Sequence, residues 1–200
     1  MLSAGLYLSI DKEQRQLLSY WWLDWQHTTQ SPTQHYTLFL GSSSIARLPD
    51  NMLEDCKPFV KNGFSNGTTE NVSEYLANAS LHNVARVVVY IGENDIARGE
   101  PAQVTVQQVI DLVDAIKTKT EAPIALVKLK YSPARQQSHA AFMRFNQAID
   151  AQYAKSSRVS LLPFDTLKQR LFYVSDGIHL NGQGNAKFTQ FINSFCREFD

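Results

Sequence analysis

Apolar and polar positions follow one another in blocks along the chain, and the blocks switch period. Residues 37–40 are a short apolar run that ends in Gly41 and three serines, Ser42, Ser43 and Ser44, before a helix-compatible segment resumes at Ile45. That order reads as a buried strand, a tight turn and a helix N-terminus. Residues 59–61 form a second short strand, and residues 62–69 a loop of glycine, asparagine and hydroxyl side chains. Residues 70–79 carry Val72, Tyr75 and Leu76 at helical spacing. Residues 84–91 are almost continuously apolar and β-branched, as in a strand covered on both faces of a parallel sheet. Thr105 to Gln108 has the form of a capping box, and Val106, Val109, Ile110, Val113 and Ile116 continue as a helical stripe. Residues 123–127 and 159–162 are the fourth and fifth strands. Between them Ser132-Pro133 opens a helix with Phe142, Phe145, Ile149 and Tyr153 on one face. The last helix carries Phe188, Phe191, Ile192, Phe195 and Phe199. Strand and helix alternate five times, which predicts a doubly wound sheet of five parallel strands in three α/β/α layers.

An extra helix precedes this pattern. Asp11 to Gln14 resembles a capping box, and Leu17, Trp21 and Trp25 recur at i, i+4 and i+8 with Leu18 and Trp22 beside them. The plain expectation is that this aromatic face packs on the domain. The sharper one is a homo-oligomer contact through Trp21, Trp22 and Trp25, or one wall of a cleft. Residues 28–34, with Pro32, read as a loop. No repeat or long linker divides the chain, so residues 1–200 are expected to be one domain with a helical extension over 1–35.

Charge and cysteine content narrow the function. Lysine plus arginine total 19 and aspartate plus glutamate total 19, so no net field draws the chain to nucleic acid or anionic lipid. No apolar run is long enough to span a bilayer, and the N-terminus lacks the basic region of a signal peptide. Cys56 and Cys196 lie in unlike contexts without metal-type spacing. They are expected to be buried free thiols in a reduced, cytoplasmic protein. His27, His35, His82 and His139 have no partner pattern and are expected to be structural.

In a doubly wound sheet, ligands sit beyond the carboxyl ends of the strands. Four polar segments fall there. Gly41 to Ser44 offers a hydroxyl, Asn66 and Gly67 offer backbone N–H groups, and Asn94 offers an amide. Asp176 and His179 offer a carboxylate and an imidazole three residues apart. Singly, each has a plainer reading as a helix cap, a turn or a surface histidine. Together they are the parts that acyl transfer requires: a nucleophile, a base, a group that orients the base, and donors for an oxyanion.

The same segments resemble the SGNH hydrolases, the GDSL-like esterase and lipase superfamily. Phe39 to Ile45 is similar to its first block, in the branch that reads Gly-Ser-Ser-Ser-Ile, with Ser42 where an aspartate is common. Residues 63–72 resemble the second block, Gly92 to Asp95 the third, and Asp176 to Asn181 the last; Ser132 to Arg135 resembles a Ser-Pro-Ala-Arg segment of that branch. The likeness runs from about Tyr36 to the end. It implies a flavodoxin-like fold and Ser43 as nucleophile, His179 as general base and Asp176 as its orienting partner. It also implies an oxyanion hole of the Ser43 N–H, the Asn94 amide and an N–H of Asn66 or Gly67, where the family has a glycine at the Asn66 position. No cofactor or metal is implied. The substrate implied is a small ester, often an acetyl ester, such as one of a carbohydrate; a thioesterase, a lysophospholipase or an acyltransferase shares the scaffold. A non-catalytic flavodoxin-like anion binder is the alternative of another class, and Ser44 stays a rival to Ser43 until the tertiary arrangement is known.

Overall fold

The computed structural model describes residues 35–199. The predicted Trp21, Trp22 and Trp25 helix lies outside them. Five strands form one sheet: β1 (Tyr36–Ser42), β2 (Phe59–Phe64), β3 (Val84–Tyr90), β4 (Ile124–Val127) and β5 (Val159–Leu162). Their order across the sheet is β2-β1-β3-β4-β5, and every pairing is parallel. This is the flavodoxin-like doubly wound order. The switch in direction falls between β1 and β3, so their carboxyl ends open a crevice.

The helices are α1 (Ser43–Ala46), α2 (Thr69–Asn78), α3 (Glu93–Ala97), α4 (Ala102–Lys119), α5 (His139–Tyr153) and α6 (Gly182–Glu198). Helix α4 packs between α2 and α5 on one face of the sheet, while α6 lies on the other, against 3₁₀ turns at Glu54–Cys56 and Arg170–Phe172. Alternation along β3 divides its side chains between the two layers. Arg86 reaches the Cys196 carbonyl of α6 at 2.8 Å, and the Tyr90 ring lies 6.2 Å from that of Phe188 on the same helix. Val87 and Val89 face the opposite layer. Val87, Val88, Val89 and Tyr90 are all fully buried, which is why the β3 segment shows no polar alternation.

Two local expectations change. Pro101, not Thr105, is the N-cap of α4, which starts at Ala102. Thr105 is buried inside the helix, where its hydroxyl donates back to the Pro101 carbonyl at 3.3 Å. Thr-x-x-Gln therefore occurs here inside a helix, where an interior threonine bonds the preceding turn. The segment opened by Ser132-Pro133 is first a 3₁₀ stretch, Pro133–Ser138, and only then α5.

The cysteines are a further correction. Cys56 and Cys196 are not free thiols but form a disulfide, with Cα atoms 5.2 Å apart across 140 residues of sequence. The two lie in unlike local contexts because one ends a 3₁₀ turn and the other sits in α6; only packing on the same face of the sheet brings them together. The pairing also removes the ground for expecting a reduced compartment, since such bonds form and persist where conditions are oxidising.

Candidate active site

Strand β1 ends in a backbone turn that only glycine accommodates at one point. Gly41 has φ of 151°, and a Cβ there would stand 2.0 Å from the Tyr90 carbonyl oxygen of β3. The two strands come together at that residue, and the chain then turns into α1. Ser42 is the N-cap of α1, its hydroxyl 3.5 Å from the Ser44 N–H it accepts. Ser43 is the first helical residue, and its hydroxyl stands free of the capping role.

The Ser43 Oγ lies 2.9 Å from His179 Nε2. On the other side of the ring, His179 Nδ1 lies 2.6 Å from Asp176 Oδ2. The second carboxylate oxygen, Asp176 Oδ1, accepts the backbone N–H of Ile178 at 2.8 Å and of His179 at 2.9 Å. Burial alone would raise the Asp176 pKa, but these bonds from the His179 ring and from two N–H groups outweigh it, and the carboxyl is held well below its usual range. An ionised carboxylate at Nδ1 keeps the proton on that nitrogen and leaves Nε2 as an acceptor toward Ser43. Ser44, by contrast, has its hydroxyl 3.3 Å from the Lys130 ammonium, from which it accepts.

The Asp176–His179 loop is pinned from several sides. The Val174 N–H donates to the His179 carbonyl at 2.9 Å, and the Ala134 N–H to the Gly177 carbonyl at 3.1 Å. Arg170 donates to three successive carbonyls, Tyr173 at 3.0 Å, Val174 at 2.6 Å and Ser175 at 3.0 Å. Asn181 then caps α6 by accepting the Gly184 N–H at 3.0 Å.

The second and third polar segments meet beside the serine turn. Asn66 adopts a left-handed backbone with φ of 54°, a conformation asparagine tolerates better than most residues. The Gly67 N–H is spent on the Phe64 carbonyl at 3.0 Å, whereas the Asn66 N–H has no acceptor among the described residues. The Asn94 Nδ2 donates to the Gly67 carbonyl at 2.8 Å, and its Oδ1 accepts from Arg135 Nη2 at 2.7 Å. Asp95 joins the same two segments by accepting the Thr69 N–H at 3.0 Å and the Thr69 hydroxyl at 2.7 Å. Ser43, Asn66, Gly67, Asn94, Asp176 and His179 therefore gather at the carboxyl edge of β1, β2 and β3. His139 lies apart from the trio, its Nε2 2.9 Å from the Ser132 carbonyl oxygen.

A buried polar cluster behind the site is not visible as a motif. Glu93 and Lys130 are 3% and 0% exposed and are ion-paired. Glu93 also accepts from the Tyr90 hydroxyl at 2.5 Å and the Ser132 hydroxyl at 2.6 Å, and Arg135 Nη1 lies 3.2 Å from its Oε1. Burial pushes the Glu93 pKa up, but Lys130 and then Arg135 more than reverse this, so the carboxyl stays ionised and below its usual range. The Tyr90 hydroxyl is pushed well above its usual pKa by burial and by the neighbouring Glu93. The available clue was positional: Lys130 and Arg135 follow the carboxyl end of β4, where side chains turn toward the functional edge. Among the described residues, no group of three or more histidines, cysteines or carboxylates is arranged to hold a metal ion.

Residues 30–187 match the GDSL-like Lipase/Acylhydrolase family. No curated protein matches the chain significantly. The fold is similar to that of a provisionally named platelet activating factor from Streptococcus pneumonia, with a TM-score of 0.74 and 21% identity over 94% of this chain and 100% of that one. A lipase/acylhydrolase from Enterococcus faecalis has a TM-score of 0.68 and 16% identity over 84% of this chain and 98% of that one. A Clostridium thermocellum family 3 carbohydrate esterase has a TM-score of 0.64 and 16% identity over 82% and 98%.

Proposed function

The chain belongs to the GDSL-like lipase/acylhydrolase family and is a carboxylic-ester hydrolase, and from this premise we propose that Ser43, His179 and Asp176 carry its chemistry on small acyl esters. The observation that carries the reading is the continuous run of short contacts from Ser43 Oγ through the imidazole to Asp176, at 2.9 Å and 2.6 Å. His179 takes the Ser43 proton as Oγ attacks the ester carbonyl. The carbonyl oxygen becomes an oxyanion, held by the Ser43 N–H, the Asn94 Nδ2 and the Asn66 N–H. His179 then gives its proton to the leaving alkoxide. Water, deprotonated by the same imidazole, releases the acyl group and restores Ser43. Asn66 is preferred to Gly67 as the backbone donor because the Gly67 N–H already has the Phe64 carbonyl. Ser43 is preferred to Ser44 because the Ser44 hydroxyl faces Lys130 instead of His179.

Small acyl groups, acetyl above all, on a carbohydrate or similar polar alcohol are the proposed substrates. The carbohydrate esterase among the similar folds supports this choice. The test is hydrolysis of p-nitrophenyl acetate, octanoate and palmitate by wild type, Ser43→Ala and His179→Ala. The expected result is a preference for acetate and a fall in kcat of about 10⁴-fold or more in either variant. Equal rates in all three proteins would overturn the mechanism. A preference for palmitate would overturn the substrate class alone. Adding a sugar acceptor and finding acyl-sugar in place of free acid would identify a transferase.

A further inference from the structure

The side-chain amide of Asn94 must present nitrogen, not oxygen, to a developing oxyanion. Its two ends are nearly the same shape, so something has to decide which faces the substrate. The partners on the two sides of the amide decide it by their chemistry. Arg135 is a donor only, so the end it meets at 2.7 Å must be Oδ1. The Gly67 carbonyl is an acceptor only, so the end it meets at 2.8 Å must be Nδ2. One Nδ2 hydrogen is used on Gly67, and the second is left for the reacting oxygen.

We propose that Arg135 is a positioning residue, whose guanidinium clamps Glu93 and Asn94 together and so locks the Asn94 amide in its donating orientation. The inference rests on the reading of Asn94 as an oxyanion donor. Glu93 and Asn94 are consecutive on α3, and Arg135 meets one with each terminal nitrogen: Nη1 forms an ion pair with Glu93 Oε1 at 3.2 Å without hydrogen-bond alignment, and Nη2 donates to Asn94 Oδ1 at 2.7 Å. Only a planar fork spans both; a lysine ammonium is a single point charge. The far end of the clamp is fixed, because Glu93 is itself held by Lys130, Tyr90 and Ser132 in a fully buried setting. Gly92 makes the geometry reachable. Its left-handed φ of 100° turns the chain into α3, and a Cβ there would come 3.1 Å from Thr105 Cγ2.

The test is a double-mutant cycle on p-nitrophenyl acetate with the full chain: Asn94→Ala, Arg135→Met, both together, and Arg135→Lys, with thermal melts on each. Asn94→Ala is expected to lower kcat about 100-fold or more, as loss of one oxyanion donor does. Arg135→Met is expected to lower kcat about 10- to 100-fold with KM little changed, the cost of misplacing a catalytic group. In the Asn94→Ala background the same change should cost less than about 3-fold, because the residue through which it acts is gone. Arg135→Lys keeps the charge but not the fork, and should resemble Arg135→Met. Wild-type kcat in Arg135→Lys and Arg135→Met, or a full Arg135→Met loss on top of Asn94→Ala, would overturn the clamp and leave the oxyanion reading standing. Wild-type kcat in Asn94→Ala would overturn both. If Arg135→Met does not fold, the cycle runs with Arg135→Lys in both backgrounds and the same outcomes decide.

Discussion

Two clusters of charged and polar side chains flank Ser43, and they are built on opposite principles. The Asp176–His179 pair is carried on one loop, three residues apart, with the Asp176 side chain 40% exposed. Glu93, Lys130 and Arg135 come from two distant segments; Glu93 and Lys130 are buried, and Arg135 is 14% exposed. The first cluster is held by backbone hydrogen bonds to the carboxylate and by Arg170 on the loop carbonyls. The second is held by its members' mutual charge in a place where water cannot replace a lost partner. The partly exposed Asp176–His179 pair can therefore be altered with little damage to folding, whereas the buried cluster couples the site to folding.

Glu93→Gln tests this contrast most strongly. It leaves Lys130 and Arg135 buried without their carboxylate, and should cost about 3–5 kcal/mol of stability, the usual price of breaking a buried ion pair from one side. Denaturant unfolding measures it, with Asp176→Asn as the control that loses activity but little stability. Similar losses in the two would abolish the distinction between the clusters. The pH dependence follows from the same residue. The Glu93 pKa is depressed in the folded state, so its contribution is complete above the ordinary glutamate value of about 4.3 and is lost as the pH falls through the folded value. Acid unfolding of Glu93→Gln should thus be shallower than that of wild type below about pH 4.

A smaller effect should come from the disulfide. Replacing Cys56 and Cys196 together by serine opens a link across 140 residues, and the expected loss is about 2–4 kcal/mol in unfolding free energy. The bond joins α6 to the 3₁₀ turn Glu54–Cys56 and contributes no side chain to the catalytic edge, so kcat on p-nitrophenyl acetate should stay within about 2-fold of wild type. A large fall in kcat with unchanged stability would show that the clamp on α6 sets the His179 loop. The smallest effect is expected from Arg170→Met. It frees three carbonyls at a surface that water can satisfy, and should change stability by less than about 1 kcal/mol while lowering kcat a few-fold through a looser His179. No change in kcat would show that the backbone bonds of the loop suffice.

The legible parts of this protein are those whose signal is local. The strands at 84–90 and 124–127 announced themselves as β-branched apolar runs because both of their faces are covered. The Asp176–His179 spacing is legible because that pair bonds within three residues of sequence, whereas Gly41 and Asn94, whose partners are distant, are legible only through the family motifs that carry them. Boundaries were less legible. The N-cap of α4 lies four residues before the capping-box threonine, since Thr-x-x-Gln is equally at home inside a helix, where Thr105 bonds the preceding turn. Glu93 stands in the sequence inside the Gly92–Asp95 block with nothing to mark it, and most of its partners, Lys130, Ser132 and Arg135, lie about 40 residues away.

The sequence by itself therefore determined the alternation of strands and helices and the edge at which the candidate residues fall, and the family resemblance of its motifs named those candidates. Local periodicity and turn chemistry are enough for the first two. Only the tertiary structure decided that Cys56 meets Cys196, that the Gly67 N–H is already taken while that of Asn66 is not, that Ser43 and not Ser44 faces His179, and that Arg135 bridges Glu93 to Asn94. Each of these is a pairing between groups far apart along the chain. Such pairings are fixed by which faces of the sheet are buried together, and no spacing along the chain encodes them.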